Sequence, residues 1–346
     1  MSSHLGKRRR GAGAARRYVN QLAFGKCGRA LYGPGPQSKT NRTMDFLWNL
    51  LLAALMGMVE GLTEFLPVSS TGHMILLGSI TCFEDRNNVF KVMIQFGAIL
   101  AICILYFRDL LELAIKAPTH PEARTFVLGI VLAFIPAGFF GFLMGDYIKA
   151  YLFNPLVVSI SLITGGVIIL LVERLVNDPR VTSLHPTVFR REQFTLPLFF
   201  KIGLLQCVAL IPGVSRSGAT IIGSMLLRVH RTQATEFSFF LAIPTMMGAF
   251  VLDGYRNYKH FDSSQALTIA VGFTVAFLSA LLVVRWAIGF ISRNGFWPFA
   301  WYRIAIGSLM LGIILFTQDI TLTNQCKRAA ASAPDAATTL IAAANR

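Results

Sequence analysis

Charge is scarce in this chain of 346 residues. Asp, Glu, Lys and Arg make up only 14% of it, against 54% hydrophobic residues, and the mean hydropathy is +0.58. A soluble domain of this length could not hide so much apolar surface, which leaves a polytopic α-helical membrane protein as the class. Polar–apolar alternation is also missing from the apolar runs, which argues against a β-barrel. The five cysteines (Cys27, Cys82, Cys103, Cys207 and Cys326) are scattered and form no CxxC pair, so neither a zinc site nor a disulfide framework is expected. No Gly-Lys-Ser/Thr phosphate loop is present, so pumping by an ATPase of this chain's own is not expected.

Acid is absent from residues 1–43, which hold ten Lys and Arg and so +10 of the formal +15. The basic excess therefore marks a terminal extension, and nucleic acid is not an expected partner. The extension is Gly-rich, lacks hydrophobic periodicity and reads as disordered. It has no apolar h-region of a signal peptide. Met44, followed by Asp45-Phe46-Leu47-Trp48, would serve well as an initiator. Residues 1–43 are thus either outside the translated protein or a basic arm. Residues 44–317 are read as a single membrane domain, and the Ala/Thr-rich tail 318–346 as disordered.

What is present is a polar island in apolar chain: Glu60-Gly61-Leu62-Thr63-Glu64-Phe65-Leu66-Pro67-Val68-Ser69-Ser70-Thr71-Gly72-His73. A carboxylate at bilayer depth costs roughly 2.5–3.5 kcal/mol on insertion scales, so such groups face a partner or a wet cavity. Glu60 and Glu64 share a helical face, and Pro67 should end that helix. Six segments look able to span: about Val92–Phe107, Thr125–Gly145, Pro155–Val172, Phe237–Leu252, Ala266–Val284 and Pro298–Thr317. Phe46–Ile80 and Thr195–Leu227 are broken near the middle by Pro, Gly and Ser, each half too short to cross, and read as re-entrant helix hairpins.

The two broken segments resemble each other. Gly57-Met58-Val59-Glu60 corresponds to Gly203-Leu204-Leu205-Gln206, and Pro67–Gly72 to Pro212–Gly218 with one residue inserted. The chain thus reads as a duplication, repeat 1 about 46–175 and repeat 2 about 195–317. Three crossings between the copies would invert the second, the architecture in which interrupted helices meet and build a site. The larger set of basic loop residues, including Arg108, Lys116, Arg174, Arg190 and Arg191, is placed in the cytoplasm. A smaller set, including Arg86, Lys149, Arg256 and Lys259, faces outward with the core's N-terminus.

In the second segment, Pro212-Gly213-Val214-Ser215-Arg216-Ser217-Gly218-Ala219-Thr220 is a Gly/Ser turn opening a helix, with free N–H groups and a positive dipole end for an anion. Arg216 adds a cationic fork suited to phosphate. The plainer alternative is close helix packing through small residues. Glu60 and Glu64 could hold a divalent cation or position a base, or be polar glue satisfied by Arg216. Ser70 and His73, three apart, could form a nucleophile–base pair, although a lone histidine is more often structural. Gln95, Glu236 and Lys201 are read as supporting or interfacial groups.

EGLTEFLPVSSTGH and PGVSRSGAT resemble the two hallmark motifs of the bacitracin-resistance undecaprenyl-diphosphatase family, and the likeness continues through Glu236–Ala242 and covers about Met44 to Phe316. The resemblance implies an integral membrane hydrolase that removes the terminal phosphate of undecaprenyl diphosphate, recycling the cell-wall lipid carrier, in the bacterial plasma membrane; the orientation read from the basic loops would open its site toward the periplasm. It assigns the acidic motif to Glu60 and Glu64, the polar turn to Ser69 and Ser70 (beside Thr71), the histidine to His73, and phosphate binding to Ser215, Arg216, Ser217 and Thr220 with Gly213 and Gly218. It also implies Mg²⁺ or Ca²⁺, with Glu60 and Glu64 as ligands. The nucleophile stays open between Ser70 activated by His73, His73 itself, and water. A homodimer is allowed. Acid-phosphatase-like lipid phosphatases need a histidine six residues after the arginine, where this chain has Ile222. The non-enzymatic alternative is a transporter or flippase for a polyprenyl phosphate lipid. The sharpest structural expectation is that His73 and Arg216 lie within one phosphate's reach of each other.

Overall fold

A computed structural model describes residues 39–81, 83, 89–257 and 266–317 of the chain. The expected disorder of residues 1–38 and of the tail from Gln318 lies outside the described residues, as do Arg86 and Lys259 of the outward basic set; residues 39–43, also expected to be disordered, are instead the first turn of a helix. Of the described residues, 49–77, 89–257 and 266–317 form one compact body. In the other body, the described residues 39–48 and 78–81 are helical.

The helices in chain order are α1 (Lys39–Thr63), α2 (Ser70–Thr81), α3 (Val89–Leu105), α4 (Phe107–Lys116), α5 (Pro121–Tyr151), α6 (Pro155–Asn177), α7 (Leu196–Gln206), α8 (Arg216–Leu226), α9 (Arg231–Asn257), α10 (Ala266–Asn294) and α11 (Trp297–Thr317). Among the described residues the only β pairing is a bridge between Val188 and Val229. Six stretches are long and apolar enough to cross a membrane: Phe46–Thr63, Pro121–Gly145, Pro155–Asn177, Arg231–Leu252, Ala266–Asn294 and Trp297–Leu315. The protein is an all-α, multi-span membrane protein.

Two elements differ in detail from the sequence expectation. The segment expected as Val92–Phe107 is the 17-residue α3, followed after Tyr106 by a 68° bend into α4. α4 carries Arg108, Asp109, Glu112 and Lys116, and α3 and α4 are long and apolar enough for one broken span only when taken together. In the first broken segment, α1 runs unbroken for 25 residues from Lys39, so its part Phe46–Thr63 is long enough to cross alone. The break falls at Glu64–Ser69, where Pro67 forbids helix, and α2 resumes at Ser70. The second broken segment matches the hairpin expectation. α7 and α8 have 11 residues each, roughly 16 Å at 1.5 Å per residue, about half of a hydrocarbon core.

Close helix crossings hold the body together. α6 packs along α11, α3 along α10, and α5 along α7. Phenylalanines Phe126, Phe194, Phe199, Phe237 and Phe240 interlock mostly edge-on between α5, α7 and α9, a geometry the aromatic quadrupole favours. Where α1 crosses α10, a Cβ at Gly57 would land on the backbone carbonyl of Gly272. Backbone cannot yield as a flexible side-chain end can. Gly57→Val should therefore destabilise the protein by about 1–3 kcal/mol. Gly289→Ala, where the added methyl meets nothing within 4 Å, should be neutral or slightly stabilising. Thermal melts of both variants in detergent check this pair of expectations.

Candidate active site at two helix tips

The turn between α1 and α2 and the turn before α8 have the same local construction. Ser69 and Ser215, each the residue before its helix, hold positive φ of 70° and 81°, a region unusual for serine. The Ser69 hydroxyl accepts from Gly72 N–H at 3.3 Å and the Ser215 hydroxyl from Gly218 N–H at 3.1 Å, so both serines are N-caps. Counting back from these caps places the inserted residue between Pro212 and Ser215. Ser70 and Arg216 then occupy equivalent positions, the first residue of each helix.

Those two equivalent residues meet on one carboxylate. Arg216 Nη2 donates to Glu64 Oε1 at 3.1 Å, and the Ser70 hydroxyl donates to Glu64 Oε2. Arg216 also donates through Nη1 to the Ser238 carbonyl at 2.9 Å, contacts Met246 Sδ through Nη2, and lies over the Phe65 ring. Its Nε has no hydrogen-bond partner, so protein groups do not saturate the guanidinium. Glu64 is only 7% exposed. Removing either partner of such a buried ion pair strands the other, at a typical cost of about 3–5 kcal/mol.

The carboxylate faces a cavity of about 660 Å³. Its polar end holds Glu64, Ser69, Ser70, Thr71, Gly213, Ser215 and Arg216, seven of the residues expected from sequence, with Gln95 and Gln206. The rest is apolar, walled by α5 from Phe134 to Gly145 and by α9 from Thr245 to Leu252. Each of these helices carries an interior proline beside the cavity, Pro136 and Pro244.

The other expected residues lie outside the lining. Ser217 donates to the Leu66 carbonyl at 2.7 Å, stitching one tip to the other. Gly218 spends its N–H on the Ser215 cap, and Ala219 N–H bonds the Ser215 carbonyl at 2.9 Å. Thr220 bonds the Arg216 carbonyl at 2.9 Å and Gln206 at 3.2 Å. The expected cradle of free N–H groups is therefore narrower than the motif suggested: capping consumes part of it, as at most helix starts. Glu60 is buried one turn behind Glu64, within hydrogen-bonding reach of it, and does not line the cavity.

His73 departs furthest from the sequence reading. Its Nδ1 contacts the Ser69 carbonyl at 2.8 Å and its Nε2 the Tyr302 hydroxyl at 2.7 Å. The expected Ser70–His73 contact is replaced by Ser70–Glu64, because the imidazole turns back to its own helix start. His73 does not line the cavity that Arg216 lines.

Two α11 residues were not read from the sequence. Arg303, 1% exposed, donates to five carbonyls: Pro67 (3.0 Å) in the first tip, Gly213 (2.9 Å) and Val214 (3.0 Å) in the second, and Ser161 (3.1 Å) and Leu162 (3.4 Å) in α6. All five guanidinium donors are used. Gly165 leaves room for it, since a Cβ there would collide with the guanidinium. An arginine inside an apolar span is itself a signal, and that signal was available at position 303. Tyr302 offered none, because a tyrosine near a span end is ordinary.

Among the described residues no three His, Cys, Asp or Glu side chains converge as a metal cage. The donor set nevertheless fits a hard cation. Each Glu64 oxygen keeps lone-pair capacity beyond its one bond, and Mg²⁺ is commonly held by one or two carboxylates plus phosphate oxygens and water.

Fold and site thus define a multi-span helical membrane protein with a carboxylate–guanidinium–hydroxyl site at the polar end of an apolar cavity. The chain belongs to the family described as bacitracin resistance protein BacA, which it matches over residues 53–309. It is 52% identical over 265 residues to an undecaprenyl-diphosphatase of Phenylobacterium zucineum, covering 76% of this chain and 97% of the relative. An Agrobacterium fabrum protein named undecaprenyl-diphosphatase 1 is 48% identical over 268 residues, 77% of this chain and 97% of that one. An undecaprenyl-diphosphatase of Rhodopseudomonas palustris is 49% identical over 267 residues, with the same coverages.

Arg303→Met should lower the thermal midpoint more than Arg303→Lys, because lysine keeps a charge and three donors while methionine orphans the turn carbonyls of Pro67, Gly213 and Val214, each buried unpaired group costing about 1–3 kcal/mol. Melting in detergent, with limited proteolysis at the two turns, measures the difference.

Proposed function

We propose that this chain is an undecaprenyl-diphosphatase, hydrolysing undecaprenyl diphosphate to undecaprenyl phosphate and phosphate. The observation that carries the reading is the single Glu64 carboxylate shared by Ser70 and Arg216 at the polar end of an otherwise apolar cavity. A diphosphate headgroup suits the polar end, and the first isoprene units suit the α5 and α9 walls. The relatives' names support the substrate.

In the mechanism, Glu64 Oε2 takes the proton of the Ser70 hydroxyl as its Oγ attacks the terminal phosphorus. The Oγ–P bond forms while the bond from phosphorus to the bridging oxygen breaks, and the electron pair leaves on undecaprenyl phosphate. Water then hydrolyses the phosphoserine, with Glu64 again handling the proton. Arg216 places its charge beside the transferring group; phosphoryl transfer depends chiefly on such positioning and electrostatics. Arg303 keeps both turns in place without touching substrate. A divalent cation, Mg²⁺ or Ca²⁺, held by Glu64 with Glu60 behind it and by phosphate oxygens, would supply further charge neutralisation.

The same reading places the enzyme in the bacterial plasma membrane, its site open to the outer leaflet and its more basic loops in the cytoplasm. It treats the two tips as inverted repeats, supported by the matched serine conformations.

Phosphate release from a C55 diphosphate by the purified protein tests the proposal. Glu64→Gln and Ser70→Ala should each lower kcat on the order of 10²–10⁴-fold, and Arg216→Ala by at least about 10²-fold. Chelation should abolish release and Mg²⁺ or Ca²⁺ restore it. Full activity in Ser70→Ala and Arg216→Ala would refute the catalytic assignment and leave lipid transport as the better reading.

A further inference from the structure

We infer that Tyr302 is a positioning residue for the phosphoryl transfer, acting through His73 on the Ser69 carbonyl and so on the Ser70 hydroxyl. The inference rests on Ser70 as the attacking group.

The hydrogen bonds assign the histidine's protons. A backbone carbonyl only accepts, so the 2.8 Å contact to Ser69 puts a proton on Nδ1. In the neutral ring Nε2 is then an acceptor, and the Tyr302 hydroxyl donates to it at 2.7 Å. The two rings lie nearly parallel, 3° apart. Tyrosine donation thus selects one tautomer, and that tautomer is the one able to hold Ser69.

Ser69 is where holding matters. Its φ of 70° lies in a region that serine adopts only when its surroundings impose it. Its carbonyl receives two bonds from one residue, the His73 backbone N–H at 3.2 Å and the His73 ring. The equivalent Ser215 carbonyl receives the backbone bond alone, from Ala219, whose side chain can offer nothing. There the neighbouring Gly213 and Val214 carbonyls are held by Arg303. In the first tip Arg303 reaches only Pro67. The imidazole therefore supplies in one tip the support that Arg303 supplies in the other, and consecutive residues of α11 brace both.

The link from Ser69 to Ser70 is covalent. The Ser69 carbonyl and the Ser70 N–H belong to one rigid peptide plane, so tethering that carbonyl orients the first turn of α2. It is this turn that delivers the Ser70 hydroxyl to Glu64. Nothing in the geometry asks His73 to take a proton from Ser70, whose hydrogen bond already goes to a carboxylate.

The test uses full-length protein in detergent with undecaprenyl diphosphate, reading kcat and KM separately, and side-chain ¹⁵N NMR of the histidines. An asparagine can present an N–H where His73 has Nδ1, yet cannot act as a base. His73→Asn should therefore lose less than about tenfold in kcat, while His73→Ala loses about 100-fold with KM little changed, a split typical of lost transition-state alignment. Tyr302→Phe should lower kcat about 3–10-fold, and have no further effect in the His73→Asn background, where its acceptor is gone. In the parent protein the His73 resonances should show a protonated Nδ1 and an acceptor Nε2, and Tyr302→Phe should shift or broaden them. His73→Asn as inactive as His73→Ala, with both folded to the parental melting temperature, would overturn the inference in favour of a histidine base. So would a Tyr302→Phe loss that adds fully to that of His73→Asn. A failure of the Ser70 reading shows differently: Ser70→Ala would keep its activity while the NMR tautomer stayed as described.

Discussion

The Glu64 carboxylate joins two polar turns that lie 146 positions apart in the sequence, one oxygen taking the Ser70 hydroxyl and the other Arg216. Each of the three groups would be costly alone inside an apolar protein: a buried charge needs a partner, and a buried hydroxyl needs an acceptor. Together they satisfy one another. The arrangement also leaves the hydroxyl, its proton acceptor and a cation side by side at the end of a cavity. Stability and chemistry depend here on the same contacts, so a variant that silences the chemistry is also expected to loosen the junction.

A junction so made must be held from outside, because neither turn has regular structure at its tip. The holding element is α11. Arg303 binds carbonyls of both turns and of α6, and Tyr302 reaches His73. Fixed donors around irregular backbone are what permit non-helical chain at membrane depth, where water cannot satisfy the carbonyls. Small residues serve the same end, Gly165 by making room for the guanidinium and Gly213, at φ +93°, by turning the second tip.

Much of this was legible in the sequence because cost is legible. Glu64, Ser70 and Arg216 stand out as polar groups in apolar runs, and the paired turns announce a two-part site. The membrane class follows from hydropathy, and most spans from their length. What could not be read is which groups touch. Ser70 and His73 are three apart on one helix, and spacing permits their contact, yet the imidazole turns back to Ser69 and Tyr302. Ser217, Gly218 and Thr220 look like free donors in the motif, but a bond to the Leu66 carbonyl, the Ser215 cap and an i−4 bond use them. α1 reaches spanning length because helix persists through Glu60 to Thr63 before the Pro67 turn, so Phe46–Thr63 is long enough to cross. Arg303 shows the opposite case: its isolation in an apolar span was a signal, and only its partners, carbonyls distant in sequence, needed the structure.

The mechanism turns on which atom receives the phosphoryl group. Rapid quenching of the enzyme during turnover of a terminally ³²P-labelled C55 diphosphate, followed by peptide mapping under conditions that preserve both phosphoserine and phosphohistidine, reads this directly. Label on Ser70, lost in Ser70→Ala and accumulating transiently in the parent, is the predicted result. Label on His73 would contradict the account, since it would make the imidazole a nucleophile facing the cavity rather than a tether turned away from it.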